Sequence, residues 1–267
     1  MFEVNIAVML VVCLIILIAM GVHIAISLGM TSAIGIFLTT GADSYAFETV
    51  QRMLAATAYE AIRSYVFAVI PLFMLMGEFI GRSGVVTDVY RGINKLLHRI
   101  PGRLALATII GNALFSFVTG VSIASAAAFS RIAYPEMKRF GYHKGFALGT
   151  IAGSSCLGML IPPSVLMIVW GILTEQSIGR IFAAGVLPGA LLMSLFLIYV
   201  FVMALLKPEV VGEGVNSSSE IDKQLNKDET NEVSIPQFLI SLAGIFFVIL
   251  AVLGGILSGF FTPTEGA

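Results

Sequence analysis

Residues 145–179 read GFALGTIAGSSCLGMLIPPSVLMIVWGILTEQSIG, an apolar segment long enough to cross a bilayer but interrupted at Pro162-Pro163-Ser164. Neither proline has an N–H. The pair therefore leaves the carbonyls of Gly158 and Met159, four residues back, without their helical donors. Gly149, Gly153, Ser154, Ser155 and Gly158 lead into the break. Released carbonyls and hydroxyls are hard oxygen donors suited to an alkali cation. Beyond the break a new half-helix is expected near Ser164, its N-terminus offering amides and a positive dipole end to an anion. Gly/Pro-interrupted segments are pointers to binding sites in membrane transporters.

A second neutral stretch, residues 104–130, has basic flanks on both sides: Arg82, Arg91, Lys95, Arg99 and Arg103 before it, and Arg131, Lys138, Arg139 and Lys144 after it. A single crossing would put one basic flank outside, against the positive-inside bias of short loops. A segment that dips in and returns keeps both inside. Thr119-Gly120 lies near the middle, and Asn112, Ser116 and Thr119 fall at i, i+4, i+7 on one helical face, with Ser122 and Ser125 on the return leg. A re-entrant hairpin is expected, its tip tolerable only where protein or a hydrated site satisfies the backbone. The alternative is one long span whose Ser and Thr bond their own helix.

The rest of the chain sets these stretches in lipid. Of 267 residues, 58% are hydrophobic and 12% charged, and mean hydropathy is +0.97. So little charge cannot cover a soluble surface of this size. The net charge of -1 offers nothing to nucleic acid. Glu3 and a long apolar run argue against a cleaved signal peptide.

Spans are expected over residues 4–22 and 24–38, followed by an amphipathic interfacial arm at 41–63, so that residues 1–64 form an N-terminal region. Residues 65–206 read as the transport-type region: a span at 65–80 containing Pro71, a basic connector at 82–103, the hairpin at 104–130, the broken helix at 145–179 and a plain span at 181–206. Residues 207–236 hold three lysines and seven acids in Asn/Ser-rich sequence and read as a polar cytoplasmic linker. Residues 237–259 are a last span, and 260–267 a turn-and-cap sequence. This order places the N-terminus outside, residues 82–103 inside and Phe261 outside.

The absences matter as much. No Asp, Glu, Lys or Arg lies within residues 104–130 or 145–174. A charge at bilayer centre would cost roughly 3 kcal/mol and mark a proton relay, so uncharged oxygens fit Na⁺ better than H⁺. Glu78 lies near a helix end, and His23, His98 and His143 lie at span boundaries. Cys13 and Cys156 sit in apolar runs as small hydrophobes. There is no nucleophile–base pair, metal-ligand spacing or phosphate loop, so no enzyme is expected.

FVTGVSIASAAA at 117–128, YPEM at 134–137, GY at 141–142, GMLIPPS at 158–164 and FTPTE at 261–265, with PLFMLMGE at 71–78 and GRSG at 81–84, resemble the large membrane subunit of TRAP (tripartite ATP-independent periplasmic) transporters across essentially the whole chain. The resemblance implies an all-α polytopic protein of the bacterial inner membrane, the first inverted repeat of an elevator-type transporter. It implies Na⁺-driven import of organic acids, such as C4-dicarboxylates or sialic-acid-like carboxylates, with a small four-helix membrane subunit and a periplasmic solute-binding protein. By that resemblance Ser116, Thr119, Gly120, Gly153, Gly158 and Met159 are candidate Na⁺ ligands, and Ser122, Ser125, Ser154 and Ser164 candidate substrate ligands. Two departures stand out. Val121 occupies a tip position where the family usually has a hydroxyl residue. FTPTE is where the family's second half begins, so the chain reads as the first repeat, its partner half missing. A non-transporting membrane scaffold, or a related Na⁺/carboxylate symporter without a binding protein, are the other readings.

Overall fold

A computed structural model describes residues 2–40, 45–63, 65–212, 234–262 and 265. Among these residues the chain is helical, save for turns and an isolated bridge between Tyr142 and Val211. It forms two compact units, Met1–Tyr65 and Val66–Ala267. The expected polar linker lies mostly outside the described residues.

The first unit holds α1 (Phe2–Ala19), α2 (Ile24–Thr40) and α3 (Ala46–Arg63). α1 and α2 pack together, Gly35 admitting the Leu10 side chain. The hydroxyls of Ser27 and Thr31 bond carbonyls of their own helix, which removes two polar groups from an apolar surface. α3 is amphipathic, with Glu48–Arg52 and Glu60–Arg63 pairs one turn apart and Phe47, Met53 and Tyr59 exposed.

The second unit runs α4 (Val69–Arg82), α5 (Val85–Leu96), α6 (Arg103–Thr119), α7 (Ser122–Arg139), α8 (Lys144–Ser155), α9 (Leu157–Leu160), α10 (Val165–Leu173), α11 (Ile178–Leu206) and α12 (Ile235–Ile249), the last continuing through a wide turn at Leu250–Gly254 into Gly255–Ser258. α11 is unbroken over 29 residues, about 43 Å, and crosses a ~30 Å hydrocarbon core with length to spare. Residues 235–258 and the interrupted stretch 144–173 also have the length and apolarity to cross.

The stretch expected as a span at 65–80 is a 3₁₀ turn at Tyr65–Ala68 followed by α4, and α4 with α5 has the length and apolarity of one bent crossing. Pro71 falls inside that stretch. It lies in the first turn of α4, where a missing N–H costs least. α4 meets α5 at 59°, Gly84 in the left-handed conformation making the corner. The basic connector at 82–103 is largely helix too: Val86, Val89, Tyr90 and Ile93 of α5 are buried at helical spacing, with Arg91 and Lys95 on the open side.

The core gathers on α6, which packs against α4, α5, α7, α8, α9, α11 and α12 and is buried along almost its whole length. Tyr90 meets Phe129 edge-on at 6.1 Å beneath it. α12 closes over α5: Phe238 lies directly on Gly92, and Asp88 accepts hydrogen bonds at 3.3 Å from both Gln237 and Ser241. Glu78 pairs with Arg82 on the exposed face of α4, as a residue near a helix end does. Cys13 is half-buried, while Cys156 is exposed rather than buried; both are free thiols.

The α5–α12 contact predicts that Gly92→Leu, which drives a side chain into Phe238, lowers stability by about 1–3 kcal/mol. Pairing it with Phe238→Ala should recover part of that loss, read as a double-mutant cycle in thermal unfolding of detergent-purified protein.

Candidate functional site

Both sequence-predicted interruptions are breaks in the helices. α6 ends at Gly120, whose φ of 60° and ψ of 14° lie in the left-handed region, and Val121 is extended before α7 starts at Ser122. An uninterrupted helix over 104–130 is thereby excluded. α6 and α7 pack on each other as a helical hairpin. In the second stretch α8 ends at Ser155, α9 adds one turn, Ile161 and Ser164 are extended, and α10 begins at Val165. The Pro162–Pro163 bond is cis.

The two breaks meet. The Val165 amide, first of α10, donates to the carbonyl of Gly120 at 3.2 Å. A Cβ at Gly120 would collide with the Pro163 carbonyl and lie 3.2 Å from Ser164 Cα. A Cβ at Gly158 would lie 3.1 Å from the carbonyl carbon of Val121 and 3.2 Å from the Ser122 nitrogen. Each glycine is present because the other segment's backbone lies against it. Gly77 of α4 closes the tip from a third side, within 3.0 Å of Thr119 Cα by the same measure.

Side chains complete the contact. The Ser164 hydroxyl donates back across the break to the Met159 carbonyl at 2.7 Å, supplying one donor the prolines withheld. Asn112 of α6 donates its amide to the Ser154 hydroxyl of α8 at 2.6 Å. Ser116 and Thr119 donate to Asn112 and Phe115, and Ser154 to Thr150, each one turn back on its own helix. Their O–H groups are thus committed while their lone pairs remain for an electrophile. Among the described residues near the interlock, Asn112 Oδ1 and Ser125 Oγ are buried oxygens with no hydrogen-bond partner. Such atoms are costly to bury, at roughly 1–3 kcal/mol each, unless something else meets them.

Thr119, Gly120, Ser122, Gly158 and Ser164 are therefore neighbours at the interlock, with Asn112, Ser116 and Ser154 along the adjoining faces of α6 and α8 and Ser125 buried one turn into α7. Gly153 packs elsewhere, while Met159 contributes its carbonyl at the break and points its side chain outward. Gly153 faces Phe196 of α11 and its carbonyl accepts from the Cys156 amide. Asn112 was on the polar face noted from sequence but absent from the candidate ligands. Its alignment with Ser116 and Thr119 was the signal for it. Among the described residues no three His, Cys, Asp or Glu side chains cluster as a metal site. Uncharged oxygens are what the interlock provides.

A cavity of about 710 Å³ lies elsewhere, between the α10–α11 corner and the end of α12, lined in part by Glu175, Gln176, Phe261, Thr262 and Glu265. There the Glu265 carboxylate accepts from the Thr262 amide and hydroxyl, both at 2.8 Å, bonds of the kind that start a helix. They hold its pKa below the usual carboxylate range.

A helical chain carrying three stretches able to cross a bilayer, with two helix breaks locked together in its interior, is a polytopic membrane protein of the broken-helix type. The profile described as "Tripartite ATP-independent periplasmic transporter, DctM component" matches residues 11–267, and the chain belongs to that family. It is similar to the C4-dicarboxylate TRAP transporter large permease proteins DctM of Pseudomonas aeruginosa (34% identity over 90% of this chain and 51% of that protein) and Vibrio cholerae (32%, over 92% and 50%). The ectoine TRAP transporter large permease protein TeaC of Halomonas elongata is 29% identical over 94% of this chain and 54% of that protein. The chain thus spans about half the length of the relatives it matches. It is an inner-membrane protein, and these relatives are permeases rather than enzymes.

The interlock predicts that Gly120→Ala, which adds left-handed strain of about 1–2 kcal/mol to the clash with Pro163, frees the Val165 amide. Hydrogen exchange in a peptide covering residues 160–168 should accelerate, with a smaller effect from Gly158→Ala. Gly149→Ala, with open space around it, should leave exchange unchanged.

Proposed function

We propose that this chain is the N-terminal half of the large membrane subunit of a Na⁺-coupled TRAP importer of organic acids. The observation that supports the reading best is the Gly120–Val165 bond, which joins the hairpin tip to the start of a half-helix inside a set of uncharged oxygens. In this reading α6–α7 is a re-entrant hairpin and α8–α10 a broken helix of the first repeat of an elevator. A companion half supplies the second hairpin and break, a small four-helix membrane subunit supports the assembly, and a periplasmic binding protein delivers the solute.

The cation fits the donors available. Asn112 Oδ1 and Ser125 Oγ are buried oxygens without partners, and the carbonyl of Gly158 faces a proline one turn on that has no N–H to give. Unwound carbonyls and hydroxyls of this kind bind Na⁺ in broken-helix transporters. Ser116, Thr119 and Gly120 line the same segment. The substrate's carboxylate would meet the first turn of α10. With the Val165 amide already given to Gly120, those of Leu166 and Met167 are the next in line, and Ser122, Ser154 and Ser164 border the break. C4-dicarboxylates or sialic-acid-like carboxylates are the substrate classes, the choice between them resting mainly on the binding protein.

The test is uptake into proteoliposomes containing the chain, its companion half, the small subunit and a binding protein. Uptake should depend on an inward Na⁺ gradient and fall to background when K⁺ replaces Na⁺. Ser125→Ala and Asn112→Leu should each raise the half-saturating Na⁺ about tenfold, the loss of roughly 1.4 kcal/mol from one ligand. A proton gradient alone driving full uptake would overturn Na⁺ coupling.

A further inference from the structure

Three turns converge on one end of the second unit: residues 97–102 between α5 and α6, residues 140–143 between α7 and α8, and the 3₁₀ turn Pro208–Val210 after α11. The His143 amide donates to the Val210 carbonyl at 3.0 Å, and Tyr142 and Val211 form an antiparallel bridge. A Cβ at Gly102 would lie 3.1 Å from Ala204 Cβ and 3.8 Å from Val211 Cγ1. Segments far apart in sequence are thereby fixed as one surface.

That surface is basic. His98, Arg99, Lys138, His143, Lys144 and Lys207 are exposed on it, and the Arg103 guanidinium is held over the Phe140 ring at 5.1 Å. Among the described residues its carboxylates are Glu136 and Glu209. The ion pairs Glu48–Arg52, Glu60–Arg63 and Glu78–Arg82 involve none of these cations. Exposed apolar side chains stand beside the charges: Leu96 at 69%, Ile100 at 37% and Leu206 at 73% of their full accessibility. A soluble phosphate needs only the cations. A phospholipid needs both, headgroup on the cations and acyl chains on the leucines.

We propose that this face binds anionic phospholipid headgroups and anchors the α5–α6, α7–α8 and α11 ends to the membrane surface. The proposal is independent of transport, since it concerns a surface that contains none of the candidate ion or solute ligands.

The purified full-length chain, exchanged into an equal mixture of phosphatidylglycerol and phosphatidylcholine, should retain the anionic lipid preferentially in native mass spectrometry. Neutralising Arg99→Gln, Lys144→Gln and Lys207→Gln should lower that preference by about fivefold for each cation removed. Charge-keeping replacements (Arg99→Lys, Lys144→Arg, Lys207→Arg) should preserve it, which separates charge from folding. Arg52→Gln and Arg63→Gln on α3 should leave it unaltered. Leu96→Ser with Leu206→Ser should lower retention of both lipids at constant headgroup preference. Equal retention of the two lipids by the wild-type chain would overturn the proposal. So would a preference untouched by the triple neutralisation, or one abolished by millimolar inorganic phosphate with the serine variants behaving as wild type.

Discussion

The constraint on which this architecture rests is that a helix interrupted inside a dry interior must find partners for the backbone groups it releases. In bulk solvent water meets them. Inside a packed membrane protein each orphan amide or carbonyl costs several kcal/mol. Here the two interruptions supply each other. The amide that α10 exposes at Val165 goes to the carbonyl at which α6 ends, and Ser164 covers the Met159 carbonyl left by the double proline. Neither break would be tolerable alone at that position, and the residues that create one are selected by the shape of the other.

The hydroxyl groups around the interlock serve the same constraint. Ser116, Thr119 and Ser154 turn their protons onto carbonyls of their own helices, so they enter the core without unpaired donors. What these three hydroxyls present outward is acceptor character, from their lone pairs. Asn112 shows the sorting within one side chain. Its NH₂ is spent on Ser154, and its oxygen is left buried without a donor. Such oxygens present lone pairs without a formal charge.

Much of this was legible along the sequence. Local signals identified both breaks, because Thr119-Gly120 and Pro162-Pro163 alter backbone geometry whatever surrounds them. The half-helix start at Ser164 followed from the same prolines and is one residue from α10. What could not be read was the meeting of residues 120 and 165, since 45 positions separate them and no periodicity encodes a tertiary contact. Gly153 shows the same limit. A glycine marks a close approach but does not name the neighbour, which proved to be Phe196. Within the basic connector at 82–103, Val86, Val89, Tyr90 and Ile93 stand at helical spacing and form the buried stripe of α5. Pro71 stands in the opening turn of α4, where a proline is tolerated because its missing N–H has no helical partner to lose.

α11 supplies the last support for the interlock. It is continuous over 29 residues, and its outward residues, among them Leu187, Leu191, Leu195 and Ile198, are exposed as a lipid-facing surface would be. Its inward stripe carries Gly185 and Gly189, four residues apart. A Cβ at Gly185 would lie 3.0 Å from the Leu160 carbonyl oxygen, and one at Gly189 would lie 2.9 Å from the Ile161 side chain. Small residues at this spacing let a helix come close to a neighbour without an apolar driving force from solvent. The neighbour here is the broken strand of backbone between α9 and α10. The side of the break that does not face the hairpin tip is thus sealed against an unbroken helix. The released backbone groups are left one direction in which to find partners, toward Gly120 and the oxygens around it.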